Sequence, residues 1–218
     1  MLTTDGTVLA LSRDFSQVTH VKLPHSRRDN PGKNDFMGPD ASFVRNGATT
    51  DDQGGVYVVT RDYVHRLQWT ANRLSLDPAD GAWQIPYPNE NGAGSGTTPA
   101  LMGWGPDEDH LVVIADASNK NRMMAFWRDR IPDDWQGLPG YDRRVAGVTD
   151  IRFDVAADES VQIENTLVVY GYGAFANNSN PVQSLSEFAG QPFSVRQWIA
   201  QTMMANVPGH EFRGGTMI

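Results

Sequence analysis

The 218-residue chain carries 26 acidic and 18 basic side chains, a formal net charge of −8, with 21 glycines, 13 prolines and no cysteine. The missing cysteine excludes a disulfide framework, a thiolate nucleophile and a cysteine-based zinc site. An acidic balance without a basic patch argues against a nucleic-acid partner, because phosphate binding draws on concentrated positive charge.

Asp5-Gly6 is a tight-turn pair, and residues 7–11 after it suit a strand. With acidic Asp5 and no basic leader, residues 1–11 do not read as a secretory signal peptide. Residues 17–23 predict a second strand. Period two puts Val18, His20 and Lys22 on one face and Thr19, Val21 and Leu23 on the more apolar, core-facing one. Residues 24–40, rich in Pro, Gly, Asn and Asp, read as a long loop, and Ser42-Phe43-Val44 as a brief strand. The clearest hairpin joins residues 56–60 to 63–69 across Arg61-Asp62. In its second arm Val64, Arg66 and Gln68 share one face, and Tyr63, His65, Leu67 and Trp69 the other. Residues 72–76 add a strand. Asp77-Pro78-Ala79-Asp80-Gly81 reads as a turn, since its proline and its length do not suit a calcium loop. Trp83 and Ile85 then alternate ahead of a proline corner.

The middle of the chain holds the glycine-rich turn Gly94-Ser95-Gly96-Thr97-Thr98-Pro99, a strand at 100–104, and an apolar strand at 111–115 that ends on Asp116. Asp107-Glu108-Asp109 between them reads as a solvated loop. Residues 122–128 form the next apolar strand, with Met123, Met124, Phe126 and Trp127 as core. Residues 129–142 read as a polar loop whose Trp135 and Leu138 cover a core edge. Strands are expected over 148–155 and 166–170, with 171–175 either continuing the second or curving away at its glycines. Residues 193–205 predict a helix sharing Val195, Trp198, Ile199 and Met203 on one face, or another strand and loop. Gly214-Gly215-Thr216-Met217-Ile218 enters a strand as the chain stops, which suits completion by a partner chain or a longer polypeptide. Asn177-Asn178-Ser179 matches the N-glycosylation pattern. No apolar run approaches the roughly 18–20 residues of a membrane span, so a soluble chain with no membrane span is expected.

The fold expected is all-β: one β-rich domain over residues 1–218, β-propeller-like or a partial propeller built from short antiparallel sheets, with a β-sandwich as the alternative. Modules of roughly 40–50 residues would number about four or five.

Chemistry is carried by few candidates. Asn46, Asp116, Glu164 and Asn165 offer amide and carboxylate oxygens of the kind that hold calcium or magnesium. Such a cation would polarise a carbonyl and acidify bound water, with Asp116 and Glu164 as the proton-transfer residues. The structural alternative makes Asp116 a strand cap, Asn46 an Asn-Gly turn and Glu164-Asn165 a hydrogen-bonded corner. The five histidines show no paired ligand spacing, and His65 reads as structural. Gly94-Ser95-Gly96 is neither a nucleophile elbow nor a Walker loop.

The runs Asn46-Gly47-Ala48-Thr49-Thr50-Asp51-Asp52-Gln53-Gly54-Gly55-Val56-Tyr57-Val58-Val59-Thr60, Gly94-Ser95-Gly96-Thr97-Thr98-Pro99, Val113-Ile114-Ala115-Asp116 and Glu164-Asn165-Thr166 resemble quinoprotein-like or gluconolactonase-like β-propeller proteins. The resemblance covers roughly residues 42–175. It implies a longer parent fold and, in the lactonase-like group, an axial cation held by carboxylate and asparagine side chains. The tryptophan-docking repeats of pyrroloquinoline-quinone dehydrogenases are not evident, so no bound quinone is expected. The functional expectation is a non-catalytic binding or scaffold protein, with a protein chain completing its β architecture or a small-molecule ligand as partner. The alternatives are a divalent-cation-dependent lactone or ester hydrolase and, more weakly, a quinoprotein oxidoreductase.

Overall fold

The computed structural model describes residues 1–24, 44–106, 108–151, 161–177 and 215–217, and within them the chain is all-β, with one 3₁₀ turn at Pro78–Asp80. Strands β1 (Thr7–Leu11) and β2 (Val18–Lys22) make the first antiparallel sheet, with Thr7 opposite Lys22 and Leu11 opposite Val18. Their alternation falls as expected: Val8 and Leu23 are buried, while Val18, His20 and Lys22 face outward.

The second sheet contains β3 (Thr49–Thr50), β4 (Gly55–Val59), β5 (Tyr63–Thr70), β6 (Arg73–Ser75) and β7 (Trp83–Pro86). β4 lies along one side of β5, and β6 and β7 share the other. The third sheet is a meander of β8 (Ala100–Met102), β9 (Leu111–Ala115), β10 (Arg122–Trp127) and β11 (Val145–Asp150). In the fourth, β12 (Val168–Tyr170) turns back into β13 (Gly173–Phe175), which pairs with β14 (Gly215–Met217).

Three apolar layers hold successive sheets together. Val8 and Leu23 meet Val58, Leu67 and Leu74 between the first and second. The other face of the second sheet, with Tyr57, Val59, Val64 and Ile85, meets Leu101, Val112, Ile114, Met124 and Phe126 of the third. The third sheet's opposite face, with Met102, Val113, Met123, Ala125 and Trp127, meets Leu167 and Ala174 beside and within the fourth. A central sheet buried on both faces needs apolar residues at every position. That is why residues 111–115 and 123–127 run without a polar alternation. Each fully buried aliphatic or aromatic side chain contributes about 1.5–3 kcal/mol.

Several expectations shift. β11 begins at Val145, three residues before the predicted strand, because a register shift between Ala125 and Phe126 brings Val145 opposite Phe126. Residues 171–175 curve away: Gly171, at φ +56°, supplies the left-handed backbone that reverses the chain. Val44 is buried but belongs to no strand, and the edge strand forms instead at Thr49–Thr50. The loop over 25–40, residues 42–43, the end of the strand predicted at 148–155 and the helix over 193–205 lie outside the described residues. Trp135 packs edge-on against Trp127, ring centres 5.9 Å apart, so the 129–142 loop does cover a core edge. Among the described residues no helix is long and apolar enough to cross a membrane.

Candidate functional site

The glycine-rich turn ahead of β8 is where distant segments meet. Tyr87 anchors it: its buried hydroxyl lies 2.6 and 2.7 Å from the Thr60 and Arg61 carbonyls and accepts from the Ser95 N–H at 2.9 Å. Burial pushes this phenol well above the ordinary tyrosine range, so it stays a neutral donor. Thr97 Oγ1 accepts the Ala115 N–H at 3.1 Å and lies 2.9 Å from Ser95 Oγ. Thr98 Oγ1 accepts from the Gly47 N–H at 2.9 Å, and Thr49 Oγ1 donates to the Pro99 carbonyl at 2.5 Å. The turn thus ties the entry of the second sheet to the third.

Two of the four candidate ligands flank this turn. Asn46 Nδ2 donates to the Ser95 carbonyl at 3.0 Å, leaving its buried Oδ1 without a hydrogen-bond partner. Glu164 lies against Gly96, where a Cβ would come within 2.8 Å of the Glu164 Cα, so only glycine fits the approach. Its carboxylate closes an ion pair with Arg45 at 2.5 Å. Burial lifts the Glu164 carboxyl above its ordinary value, and the attraction of Arg45 only partly offsets this.

Asp116 is committed elsewhere. Its carboxylate, with no exposed surface, accepts from the Ser118 N–H at 3.2 Å, Ser118 Oγ at 2.8 Å, the Arg122 N–H at 2.8 Å and Arg122 Nε at 2.9 Å. It closes the β9–β10 hairpin as a cap. Burial pulls the Arg122 guanidinium down, but the Asp116 charge outweighs it and holds Arg122 above its ordinary value. Asn165 is exposed and donates to Asn177 Oδ1 at 3.4 Å.

Among the described residues no three histidines and carboxylates converge on one point, and both carboxylates already hold arginines. His65 is buried, with Nε2 3.1 Å from Thr60 Oγ1.

Sequence reasoning missed a second polar cluster, where the second and third sheets meet around Asp129. Arg66 Nη2 and Arg128 Nε approach its carboxylate at 3.7 and 3.9 Å, and His110 Nδ1 at 2.7 Å. His110 Nε2 lies 2.8 Å from the Gly105 carbonyl, so both ring nitrogens face acceptors. The Asp129 hydrogen bond accordingly raises the imidazole above its ordinary value, against burial. Arg128 and Arg144 stack over Trp104 and Trp83 at 4.8 and 5.0 Å. Arg144 donates to the Trp127 carbonyl at 2.8 Å, and Trp83 Nε1 to the Arg128 carbonyl at 3.0 Å. The Trp83 bond clamps the second sheet to the third. The available signal was an arginine on the core-facing side of each strand or its end, Arg66 in β5 and Arg128 after β10.

No family model matches the sequence. An uncharacterized protein of Archaeoglobus fulgidus is 36% identical over 177 residues, which are 78% of this chain and 32% of the relative. The chain therefore spans about a third of that relative's length.

Proposed function

We propose that this chain is a non-catalytic binding or scaffold protein of β-propeller type. The observation that carries the proposal is the state of the two carboxylates a catalytic cation would need. Asp116 is closed by Arg122 at 2.9 Å and Glu164 by Arg45 at 2.5 Å. A guanidinium in that position supplies the positive charge that a metal would otherwise bring. The propeller-like architecture draws on the succession of separate antiparallel sheets joined by apolar faces. It also draws on the likeness of the polar corners to quinoprotein-like and gluconolactonase-like proteins.

The hydrolase alternative has one observation in its favour. Asn46 Oδ1 is a buried oxygen with no hydrogen-bond partner, the type of donor calcium accepts. The carboxylate nearest that loop is nonetheless held by Arg45. Hydrolysis of chromogenic lactones and esters, measured with calcium or magnesium present, separates the two. Background rates are expected, unchanged in Asp116→Asn and Glu164→Gln. Turnover above background that either substitution abolishes would overturn the scaffold proposal.

A further inference from the structure

Within the Asp129 cluster, His110 joins two segments at once. Its Nδ1 lies 2.7 Å from Asp129 Oδ2, on the segment after β10, and its Nε2 lies 2.8 Å from the Gly105 carbonyl, between β8 and β9. A carboxylate and a carbonyl oxygen only accept, so two such bonds need an N–H at both ring positions, which the imidazolium alone carries. A neutral ring has one N–H, and one of the two contacts then becomes a lone pair facing an oxygen. The placement of these two oxygens therefore specifies a charged ring.

The contact that gives way is the one to Gly105. A hydrogen bond to an ionised acceptor is roughly twice as strong as one between neutral groups, so the single proton of a neutral ring stays on Nδ1, facing Asp129. Nε2 then repels the Gly105 carbonyl. That peptide does not move alone. The Gly105 and Trp104 N–H groups share Glu108 Oε2 at 3.0 and 2.7 Å, and the Glu108 N–H donates back to the Gly105 carbonyl at 3.1 Å. The Trp104 ring is 55% exposed and lies over the buried Arg128 guanidinium at 4.8 Å, while Arg128 Nη2 donates to the Gly103 carbonyl at 2.8 Å. The pose of this indole thus depends on the peptide that His110 holds.

We infer that His110 is a proton-operated latch: charged, it holds the Gly105 peptide, and with it Trp104, against Arg128; neutral, it lets that peptide go and keeps Asp129. The charged groups around the ring set where the latch works. Asp129 favours the imidazolium most, and Glu108 favours it too, whereas partial burial and the Arg128 charge oppose it. Arg66 of β5 and Arg144 ahead of β11 act through Asp129, meeting its carboxylate at 3.7 Å and its carbonyl at 3.2 Å. From the turn after β12, the Tyr172 hydroxyl donates to the carbonyl of Asp109, the residue before the ring, at 3.1 Å. The balance lifts the imidazole above its ordinary 6.5. The latch is therefore shut below that value and opens as pH rises through the higher folded one.

An NMR pH titration of the isotope-labelled wild-type chain is the test, with His110, Gly105 and Trp104 assigned through the backbone. The His110 ring is expected to titrate with a midpoint above 6.5 and to keep its Nδ1 proton in the neutral form. The Gly105 carbonyl carbon and the Trp104 amide should shift with the same midpoint. Trp104 emission, taken as the difference between the wild type and Trp104→Phe, should change there too and stay flat in His110→Gln. Asp129→Asn should lower the His110 midpoint. A Gly105 carbonyl that stays constant while His110 titrates overturns the inference. So does a neutral ring with its proton on Nε2, which would release Asp129 in place of Gly105. A Trp104 response that survives in His110→Gln contradicts the latch as well. The wild-type titration stands by itself where a variant fails to fold.

Discussion

Asp116→Ala should destabilise the fold strongly, because Asp116 closes a hairpin. The substitution leaves the Ser118 N–H, the Ser118 hydroxyl, the Arg122 N–H and Arg122 Nε without their acceptor. A hydrogen bond to a charged group contributes about 1.5–3 kcal/mol, and removing one member of a buried ion pair costs about 3–5 kcal/mol. Arg122 retains a quarter of its side-chain exposure and recovers some hydration, whereas Asp116 has none. The expected loss is therefore about 3 kcal/mol for Asp116→Ala, at the lower end of that range. Arg122→Met strands the buried carboxylate and should lose about 4 kcal/mol, nearer the upper end. Urea unfolding followed by the fluorescence of the six tryptophans reads both, as a lower midpoint at constant slope. A loss below about 0.5 kcal/mol for Asp116→Ala, the usual range for a surface change, would refute the cap.

Gly96→Ala should cost about 1–3 kcal/mol by overpacking, since the new Cβ meets the Glu164 backbone at 2.8 Å; differential scanning calorimetry reads it as a lower melting temperature. Met124→Ala opens a cavity in the layer between the second and third sheets and should cost about 2–5 kcal/mol in chemical denaturation. His110, held above its ordinary 6.5 by Asp129, gives the folded state the tighter proton. Its contribution is complete below the unfolded value and lost as pH rises through the higher folded one. Unfolding free energy measured upward from pH 6 should fall in the wild type and fall less in His110→Gln; parallel profiles would contradict the Asp129 pairing.

The strands were readable where local chemistry alone decided them. The Arg61-Asp62 hairpin, with its two alternating faces, and the Asp5-Gly6 hairpin start follow from turn residues and period two. β11 was misplaced because its start is set by a register shift against β10, a partner distant in sequence. Asn46 and Glu164, singled out in the sequence as oxygen donors, both meet the glycine-rich turn. Their chemistry was not legible, because it depends on Arg45, a neighbour whose side chain is aimed by the fold. The same holds for Asp116, whose partner lies six residues on across a hairpin. The Asp129 cluster escaped notice because its members come from β5, the loop before β9, and the segments after β10 and before β11. Only sheet stacking brings them together.

Thermal unfolding with calcium, with magnesium and with a chelator tests the central claim, that arginines occupy the places a catalytic cation would take. An ion at a hundred times its dissociation constant stabilises by about 2.7 kcal/mol, a shift of several degrees at this size. The account predicts the same melting temperature in all three conditions. A rise specific to one cation, lost in Glu164→Gln or Asp116→Asn, would contradict it.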